Sequence, residues 1–293
     1  MTVSEARTIV EQFNRNNGNY TEEDFFLYTE AAGFLIHETN DTQIMLDLGG
    51  YYYNQKRYDL AMKYYEMAVT HGNSDAAIGL GYIWYYGRTG TVDYEKAFHY
   101  FSIEEDYNPI AKIKVADMYH NGYFVEKNEA KYKEIIEELY SIYHASNILE
   151  DPLPEIYIRL AGIREREGDI PEAIRLLREG KSELSARIGY NPFFGYYSMM
   201  QGLIHDLYRL TTLDKNKFDL FDLYEVFREP VKVRFTFEGK QYTIESSREP
   251  DGSVAICFQG KWYRSVNDML MNAKLGKYLM TLSPWKMKNF EVI

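Results

Sequence analysis

Residues 45–68, with the sequence MLDLGGYYYNQKRYDLAMKYYEMA, constrain the fold of this chain more than any other stretch. They predict two short amphipathic helices joined by a tight turn. Gly49 and Ala61 allow the helices to approach closely, and the rings of Tyr52 and Tyr65 fill the space beside them. A hairpin of this size cannot bury its apolar face alone, so we expect it to stack against similar hairpins.

The small-residue pattern recurs three more times along the chain. Its first element, Leu48-Gly49, has counterparts after intervals of 32, 35 and 45 residues, at Leu80-Gly81, Val115-Ala116 and Leu160-Ala161. The small residue of the second helix recurs as well, except that either Ala130 or Tyr132 occupies its position in the third copy. Intervals of this length are typical of helical-hairpin repeats, so we predict four stacked hairpins.

Helices without this pattern flank the hairpins on both sides. Ser4–Phe13 and Phe25–His37 each have helical periodicity, and Thr21 begins a capping arrangement before the second. We expect this pair to cap the array. Two further helical segments, Phe193–Leu210 and Phe218–Phe227, follow the last hairpin and are expected to cover its other end. The sequence thus predicts a helical repeat domain over residues 1–229.

The hairpins resemble a known repeat superfamily. LGGYYYNQKRYDLAMKYYEMA has the spacing of a tetratricopeptide repeat, with Lys56 in place of the usual turn glycine. LGYIWYYGRTGTVDYEKAFHYF has a longer turn with Gly87 and Gly90, and it resembles the Sel1-like branch of that superfamily. RLAGIREREGDIPEAIRLLREG returns to the plain form, so the resemblance covers about residues 45–185. It implies a right-handed α-solenoid that binds proteins or peptides without catalysing a reaction.

The sequence period changes after Glu229-Pro230. Apolar residues then alternate with polar ones as in a strand with one buried face, at Val231, Val233, Phe235 and Phe237. Residues 241–247, 254–258 and 261–263 predict further strands, and Ser265 is the predicted cap of a helix that ends near Lys274. We therefore predict a small α+β domain with a short antiparallel sheet over residues 230–293. This segment resembles no family that we recognise.

Composition argues against several functional classes. The chain of 293 residues has a net charge of −11, which argues against a dedicated nucleic-acid-binding protein. A single cysteine, Cys257, excludes an internal disulfide and a thiolate zinc cluster. No stretch is apolar for long enough to span a bilayer and no signal peptide is evident, so we expect a cytoplasmic protein. No acid–base, nucleophile or histidine-pair pattern is present, so we expect no catalytic residue, metal or cofactor.

The predicted partner-binding surface is the concave face of the repeat array. In such arrays the first helix of each hairpin lines this face, and helical geometry directs the positions one, four and five residues after the small residue towards it. Apart from glycines, these positions include Tyr53, Asn54, Tyr82, Tyr85, Tyr86, Asp117, His120, Asn121, Glu165 and Arg166. Tyrosine and asparagine suit the binding of an extended peptide. Because the chain has 28 tyrosines, packing of these rings between repeats stays an alternative.

Two functions therefore follow from the sequence. The first is a non-catalytic scaffold or adaptor that binds a protein or peptide ligand on the concave face. The alternative places the function in residues 231–293, whose ten basic and six acidic residues give a net charge of +4. In that case the solenoid would serve for dimerisation or regulation, and an acidic protein or nucleic acid would contact the basic residues Lys232, Arg234, Lys261, Arg264, Lys274 and Lys277.

Overall fold

The computed structural model of the protein describes residues 1–16, 20–145, 153–282 and 284–293. The chain divides into two compact units, Met1–Ile135 and Ile136–Ile293. The boundary between them falls within helix α8 (Glu129–Ala145). Within the described ranges, no helix combines the length and the apolar composition that a membrane span requires.

The first unit is built of helical hairpins. It contains the beginning of α8 and the helices α1 (Val3–Arg15), α2 (Glu22–Thr39), α3 (Thr42–Asn54), α4 (Tyr58–Thr70), α5 (Ala76–Tyr85), α6 (Tyr94–Glu104) and α7 (Pro109–Asn121). Consecutive helices pack in pairs, and α4 also contacts α5, so neighbouring hairpins stack. This arrangement confirms the predicted α-solenoid.

Local sequence signals position the helix ends of this unit. Thr21 accepts a hydrogen bond from the backbone N–H of Asp24, whose carboxylate accepts one from the backbone N–H of Thr21. The predicted capping arrangement is therefore confirmed, although α2 is longer than the sequence indicated. In the first hairpin Lys56 has a φ of 60°, the left-handed conformation that a glycine adopts without strain. In the second, Gly87 has a φ of 59° and lies against Val92 across the long turn.

The small residues allow the close helix contacts that the sequence predicts. A Cβ atom on Gly49 would lie 2.5 Å from two ring carbons of Tyr65, and Gly79 of α5 contacts the opposite edge of the same ring. Gly81 has the same relation to Phe101 in the second hairpin. In the third copy the backbone N–H of Tyr132 bonds to the carbonyl of Asn128, the counterpart of a bond that Ala61 makes. Tyr132, which is buried, thus occupies the position that the sequence left open.

The second unit begins with helices and ends with a sheet. Its helices after α8 are α9 (Pro154–Arg166), α10 (Ile170–Tyr190), α11 (Phe194–Leu210), a 3-10 turn (Leu220–Asp222) and α12 (Leu223–Val226). α9 and α10 form the fourth predicted hairpin, with a turn at Gly168. The segment predicted as helical over Phe218–Phe227 is shorter than expected and partly 3-10.

The C-terminal segment forms the predicted antiparallel sheet with a helix. Its elements are β1 (Lys232–Phe237), β2 (Lys240–Arg248), β3 (Val254–Phe258), β4 (Lys261–Tyr263), α13 (Val266–Asn272), β5 (Lys274–Leu275), β6 (Tyr278–Leu279), two 3-10 turns (Met280–Leu282 and Pro284–Lys286) and β7 (Met287–Val292). The five-stranded sheet has the order β4-β3-β2-β1-β7, and β5 pairs with β6. Ser265 caps α13 as predicted, but the helix ends at Asn272 because Lys274 begins a strand. Val233 and Phe235 are fully buried on the inner face.

Helices α11 and α12 contact the C-terminal α+β segment within the second unit. The hydroxyl of Tyr197 in α11 is 2.8 Å from that of Thr281, and both side chains are buried. Tyr224 of α12 donates a hydrogen bond to the side chain of Asn267 in α13. The predicted domain boundary between residues 229 and 230 lies within the second unit, and the division into domains 1–229 and 230–293 stays a prediction.

Candidate functional site

Three tyrosines of the predicted site lie together at the C-terminal end of α5. The rings of Tyr82 and Tyr86 stack at 6.0 Å, and Tyr85 contacts Tyr86 edge-on at 4.9 Å between ring centroids. Tyr82 and Tyr85 also pack edge-on against Phe101 of α6. These two rings are half-buried, whereas Tyr86 is 46% exposed. The cluster therefore combines inter-helix packing with a solvent-facing ring.

A lysine of the next hairpin lies over all three rings. The ammonium nitrogen of Lys114 in α7 is 5.7, 5.3 and 5.6 Å from the ring centroids of Tyr82, Tyr85 and Tyr86. It also lies 3.3 Å from the hydroxyl of Tyr86 and 3.7 Å from the carboxylate of Asp117. The Lys114 and Asp117 side chains are only 15% and 14% exposed. Cation–π attraction and the hydrogen bond with Tyr86 thus link α7 to the end of α5, while Asp117 pairs with Lys114 within α7.

An arginine in the long turn connects the rings to the first hairpin. The Arg88 guanidinium lies 5.0 Å from the ring of Tyr86 and 5.7 Å from that of Tyr58. A hydrogen bond with Tyr53 raises the pKa of Arg88, and Tyr53 contacts Tyr58 edge-on at 5.2 Å. The guanidinium is exposed to solvent. We call the surface formed by Tyr53, Tyr58, Tyr82, Tyr85, Tyr86, Arg88, Lys114 and Asp117 the tyrosine face.

The surroundings of the tyrosine face favour protonated tyrosine hydroxyl groups. Burial raises the pKa of Tyr85 well above its usual value, and the carboxylate of Asp117 raises it further. Tyr94 and Tyr123 stack at 4.1 Å beside Tyr85, and burial together with their mutual hydrogen bond raises the pKa of Tyr94. These hydroxyls are therefore neutral hydrogen-bonding groups at physiological pH.

A shallow groove of about 440 Å³ lies on the first hairpin. It is lined by Asn14, Leu46, Asp47, Gly50, Tyr51, Asn54 and Tyr65, which include the predicted position Asn54. The hydroxyl of Tyr51 donates to the side-chain oxygen of Asn14 at 3.2 Å. Burial raises the pKa of Asp47, and the nearby Asp41 contributes, although a hydrogen bond from Gln43 opposes the shift. The groove thus presents amide groups and one half-buried carboxylate.

Two predicted residues of the third hairpin have other contacts. Nδ1 of His120 lies 3.0 Å from the carboxylate of Glu129, and the imidazole contacts the ring of Tyr132 at 4.6 Å. The side chain of Asn121 donates to the backbone carbonyl of Asp117 at 2.7 Å, at the end of α7. These contacts are with Glu129, Tyr132 and the backbone of Asp117, so of the three residues predicted in this hairpin the tyrosine face includes Asp117.

The last two predicted residues, Glu165 and Arg166, belong to the second unit. Glu165 forms a two-pronged ion pair with Arg209 of α11, and the hydrogen bond from that arginine lowers the pKa of Glu165. Arg166 is exposed at the end of α9. The structure therefore shows Glu165 as part of an ion pair between α9 and α11.

The two cations of the tyrosine face, Arg88 and Lys114, were not among the residues predicted from the sequence. Lys114 lies two positions before the small residue Ala116, and the equivalent position in the first hairpin is Asp47, which lines the groove. Residues three apart share one face of a helix, so Lys114 lies on the same face as Asp117, the predicted position that follows the small residue. That spacing was available in the sequence. Arg88 had no such signal, because it lies in an irregular turn.

The described residues contain no group of three or more histidine, cysteine, aspartate or glutamate side chains that would hold a metal ion. Cys257, in β3, is half-buried. The predicted absence of catalysis and the predicted cytoplasmic location stay predictions.

The stacked hairpins with small residues at their contacts define the first unit as an α-solenoid of short helical repeats. The model of the Sel1 repeat matches residues 45–73, 74–103 and 109–131, so this part of the chain consists of Sel1 repeats. Folds built of these repeats generally act as scaffolds for protein–protein interaction. The fourth hairpin lies outside the matched residues, and its assignment stays a prediction.

Two solved structures are similar to this chain. A Sel1 repeat protein from Oxalobacter formigenes has 16% sequence identity and a TM-score of 0.47, over 69% of this chain and 78% of that one. A protective antigen of uropathogenic Escherichia coli strains, which displays an SLR fold, has 15% identity and a TM-score of 0.46, over 72% of this chain and 50% of that one. No curated protein is significantly similar to the chain.

Proposed function

We propose that the protein is a non-catalytic adaptor whose tyrosine face binds an extended peptide segment of a partner protein. The observation that carries this proposal is the position of Arg88 and Tyr86, both exposed, on a platform of rings that are fixed by packing. Fixed aromatic rings provide a large contact area and lose little conformational entropy on binding.

The chemistry of the platform suits an extended backbone. The guanidinium of Arg88 has five N–H groups, of which Tyr53 engages only part, so others are available for a peptide carbonyl oxygen. An apolar side chain of the peptide would lie on the ring of Tyr86. Amides of the neighbouring groove, such as Asn54, would donate to further carbonyls. Such contacts give affinity through the backbone and select for apolar residues at one position.

A binding role, rather than catalysis, is supported by the state of the polar groups. Lys114 and Asp117 neutralise each other, and the raised pKa of Tyr85 keeps its hydroxyl protonated. A tyrosine that acts as a nucleophile or general base must lose its proton at the working pH, and the raised pKa of Tyr85 opposes this.

The alternative site in the C-terminal segment is less favoured by its contacts. Lys232 pairs with Glu245 on the neighbouring strand, and Arg234 pairs with Glu291 at 2.7 Å. These carboxylates offset the charges that would attract an acidic partner. The proposal therefore places recognition on the first unit.

Selection of peptides on the immobilised full-length chain tests the proposal. A phage library of random twelve-residue peptides is the probe. Enriched peptides should lose binding to the double variant Tyr86→Ala/Arg88→Ala and should bind the matched control Tyr107→Ala/Arg15→Ala as they bind the wild type. Tyr107 is 86% exposed and the Arg15 side chain 77% exposed, so the control removes the same residue types. Equal binding to both variants, or no enrichment, would refute the proposal.

A further inference from the structure

A cleft of about 660 Å³ lies in the C-terminal segment of the second unit. The turn between β1 and β2 forms one side with Glu238 and Lys240, and the β5–β6 hairpin forms another with Lys277. The 3-10 turns Met280–Leu282 and Pro284–Lys286 contribute the remaining lining. The volume lies within the range of about 300–1,000 Å³ that is typical of small-molecule sites.

The base of this cleft is apolar. Leu275 and Met280 line it and are 3% and 1% exposed, so their side chains are anchored in the core. The half-buried ring of Tyr242 forms part of the wall and contacts Phe237 edge-on at 6.4 Å. An apolar group that enters the cleft would displace water from these surfaces, which is favourable in proportion to the area covered.

The rim of the cleft is positively charged. Three lysines line it, Lys240, Lys277 and Lys286, against a single carboxylate, that of Glu238, which leaves a net charge of +2. Glu238 pairs with Lys286 at 3.2 Å. Across the described part of the chain, neither Lys240 nor Lys277 has an ion-pair partner. In a chain of net charge −11, two unpaired ammonium groups at the mouth of an apolar cleft are complementary to an anion.

We infer that this cleft binds a small amphiphilic anion, an aliphatic or aromatic body that carries one carboxylate. The apolar base receives the body, and the ammonium groups of Lys240 and Lys277 receive the carboxylate. A neutral hydrocarbon has no charge for the rim. The inference does not depend on the proposed function, because the cleft and the tyrosine face belong to different units.

Calorimetric titration of the full-length chain with octanoate and with 1-octanol tests the inference. The wild type should bind octanoate at least tenfold more tightly than octanol. The variant Lys240→Gln/Lys277→Gln should bind octanoate at least tenfold more weakly, a change of about 1.4 kcal/mol. The control Lys261→Gln/Lys288→Gln removes the same charge from exposed positions outside the lining and should keep the wild-type affinity within twofold.

Four results would overturn it. Equal losses in the two double variants would mean that octanoate responds to overall charge rather than to the cleft. Unchanged binding in Lys240→Gln/Lys277→Gln would place any octanoate site elsewhere. Equal affinity for octanol and octanoate, or no heat with millimolar octanoate, would exclude recognition of an anion. Circular dichroism spectra confirm that each variant is folded.

Discussion

Substitution of Gly49 by alanine tests the helix contact on which the repeat packing depends. The added Cβ atom would lie 2.5 Å from the Tyr65 ring, whereas ordinary contact begins at 3.4 Å, so the ring must move by the difference of about 0.9 Å. Gly79 of α5 contacts the other edge of the ring, which leaves no space for that movement. Overpacking of this kind destabilises a protein by roughly 1–3 kcal/mol.

Helix propensity acts in the opposite direction and sets the expected balance. Alanine stabilises a helix interior by about 1 kcal/mol relative to glycine. We therefore expect Gly49→Ala to lower the free energy of unfolding by up to about 2 kcal/mol. Gly33→Ala is the matched control, because Gly33 is an exposed glycine in α2 whose Cβ atom would meet nothing within 4 Å. That substitution should raise the free energy of unfolding by about 0.5–1 kcal/mol.

Urea unfolding of the full-length chain, followed by circular dichroism, measures both effects. A double-mutant cycle with Tyr65→Leu provides the second test, because the smaller side chain removes the ring atoms that the new methyl group would meet. Gly49→Ala should then cost less than it does in the wild type. If Gly49→Ala and Gly33→Ala shift the midpoint equally, or if the cycle shows no coupling, the contact does not hold the hairpins together.

Three further predictions concern titrating and charged groups. Burial raises the pKa of Tyr65 from 10.0 to about 12, so the folded state keeps a proton that the unfolded state loses. The free energy of unfolding should therefore fall between pH 10 and 12. Tyr65→Phe should reduce that fall, which urea midpoints measure. Burial raises the pKa of Asp47, so its ionised form destabilises the fold. Asp47→Asn should therefore unfold at a higher urea concentration than the wild type at pH 7, and this difference should disappear as the pH falls towards the ordinary pKa of 3.8. An equal difference at pH 7 and near that pKa would contradict this. Asp222 is buried and accepts hydrogen bonds from Lys181 and Tyr208, so Asp222→Ala should lower the free energy of unfolding by about 3 kcal/mol. Asp219 is exposed, so Asp219→Ala should cost under about 1 kcal/mol. Similar urea midpoints for the two variants would refute this ranking.

The sequence was sufficient for those parts of the fold that depend on local patterns. The spacing of Gly49 and Tyr65 predicts a close helix contact because the two residues lie at equivalent points of adjacent helices. The alternation around Val233 and Phe235 predicts a strand because one face is buried. Ser265 and Thr21 are caps that a sequence reveals by their spacing to an acidic residue.

Other features depend on contacts between distant residues and had no local signal. Strand β7 pairs with β1 across more than fifty residues, and its regularity is broken by Asn289, which has a φ of 57°, and by a shift in register between Arg234 and Thr236. At the tyrosine face every ring except that of Tyr58 was predicted, but Arg88 and Lys114 depend on how a turn and a neighbouring hairpin place them. The pairing of Glu165 with Arg209 of α11 likewise had no local signal.

The most direct test of the account is the dissociation constant of one peptide selected on the full-length chain, measured by fluorescence anisotropy. If the tyrosine face binds the peptide, Tyr86→Ala should raise this constant at least tenfold, because truncation of a central interface aromatic costs more than about 1.4 kcal/mol. Tyr107→Ala should leave it unchanged, and so should the charge reversal Lys232→Glu/Arg234→Glu. A peptide that binds Tyr86→Ala normally and loses affinity for the charge-reversal variant would contradict the account and place recognition on the C-terminal sheet.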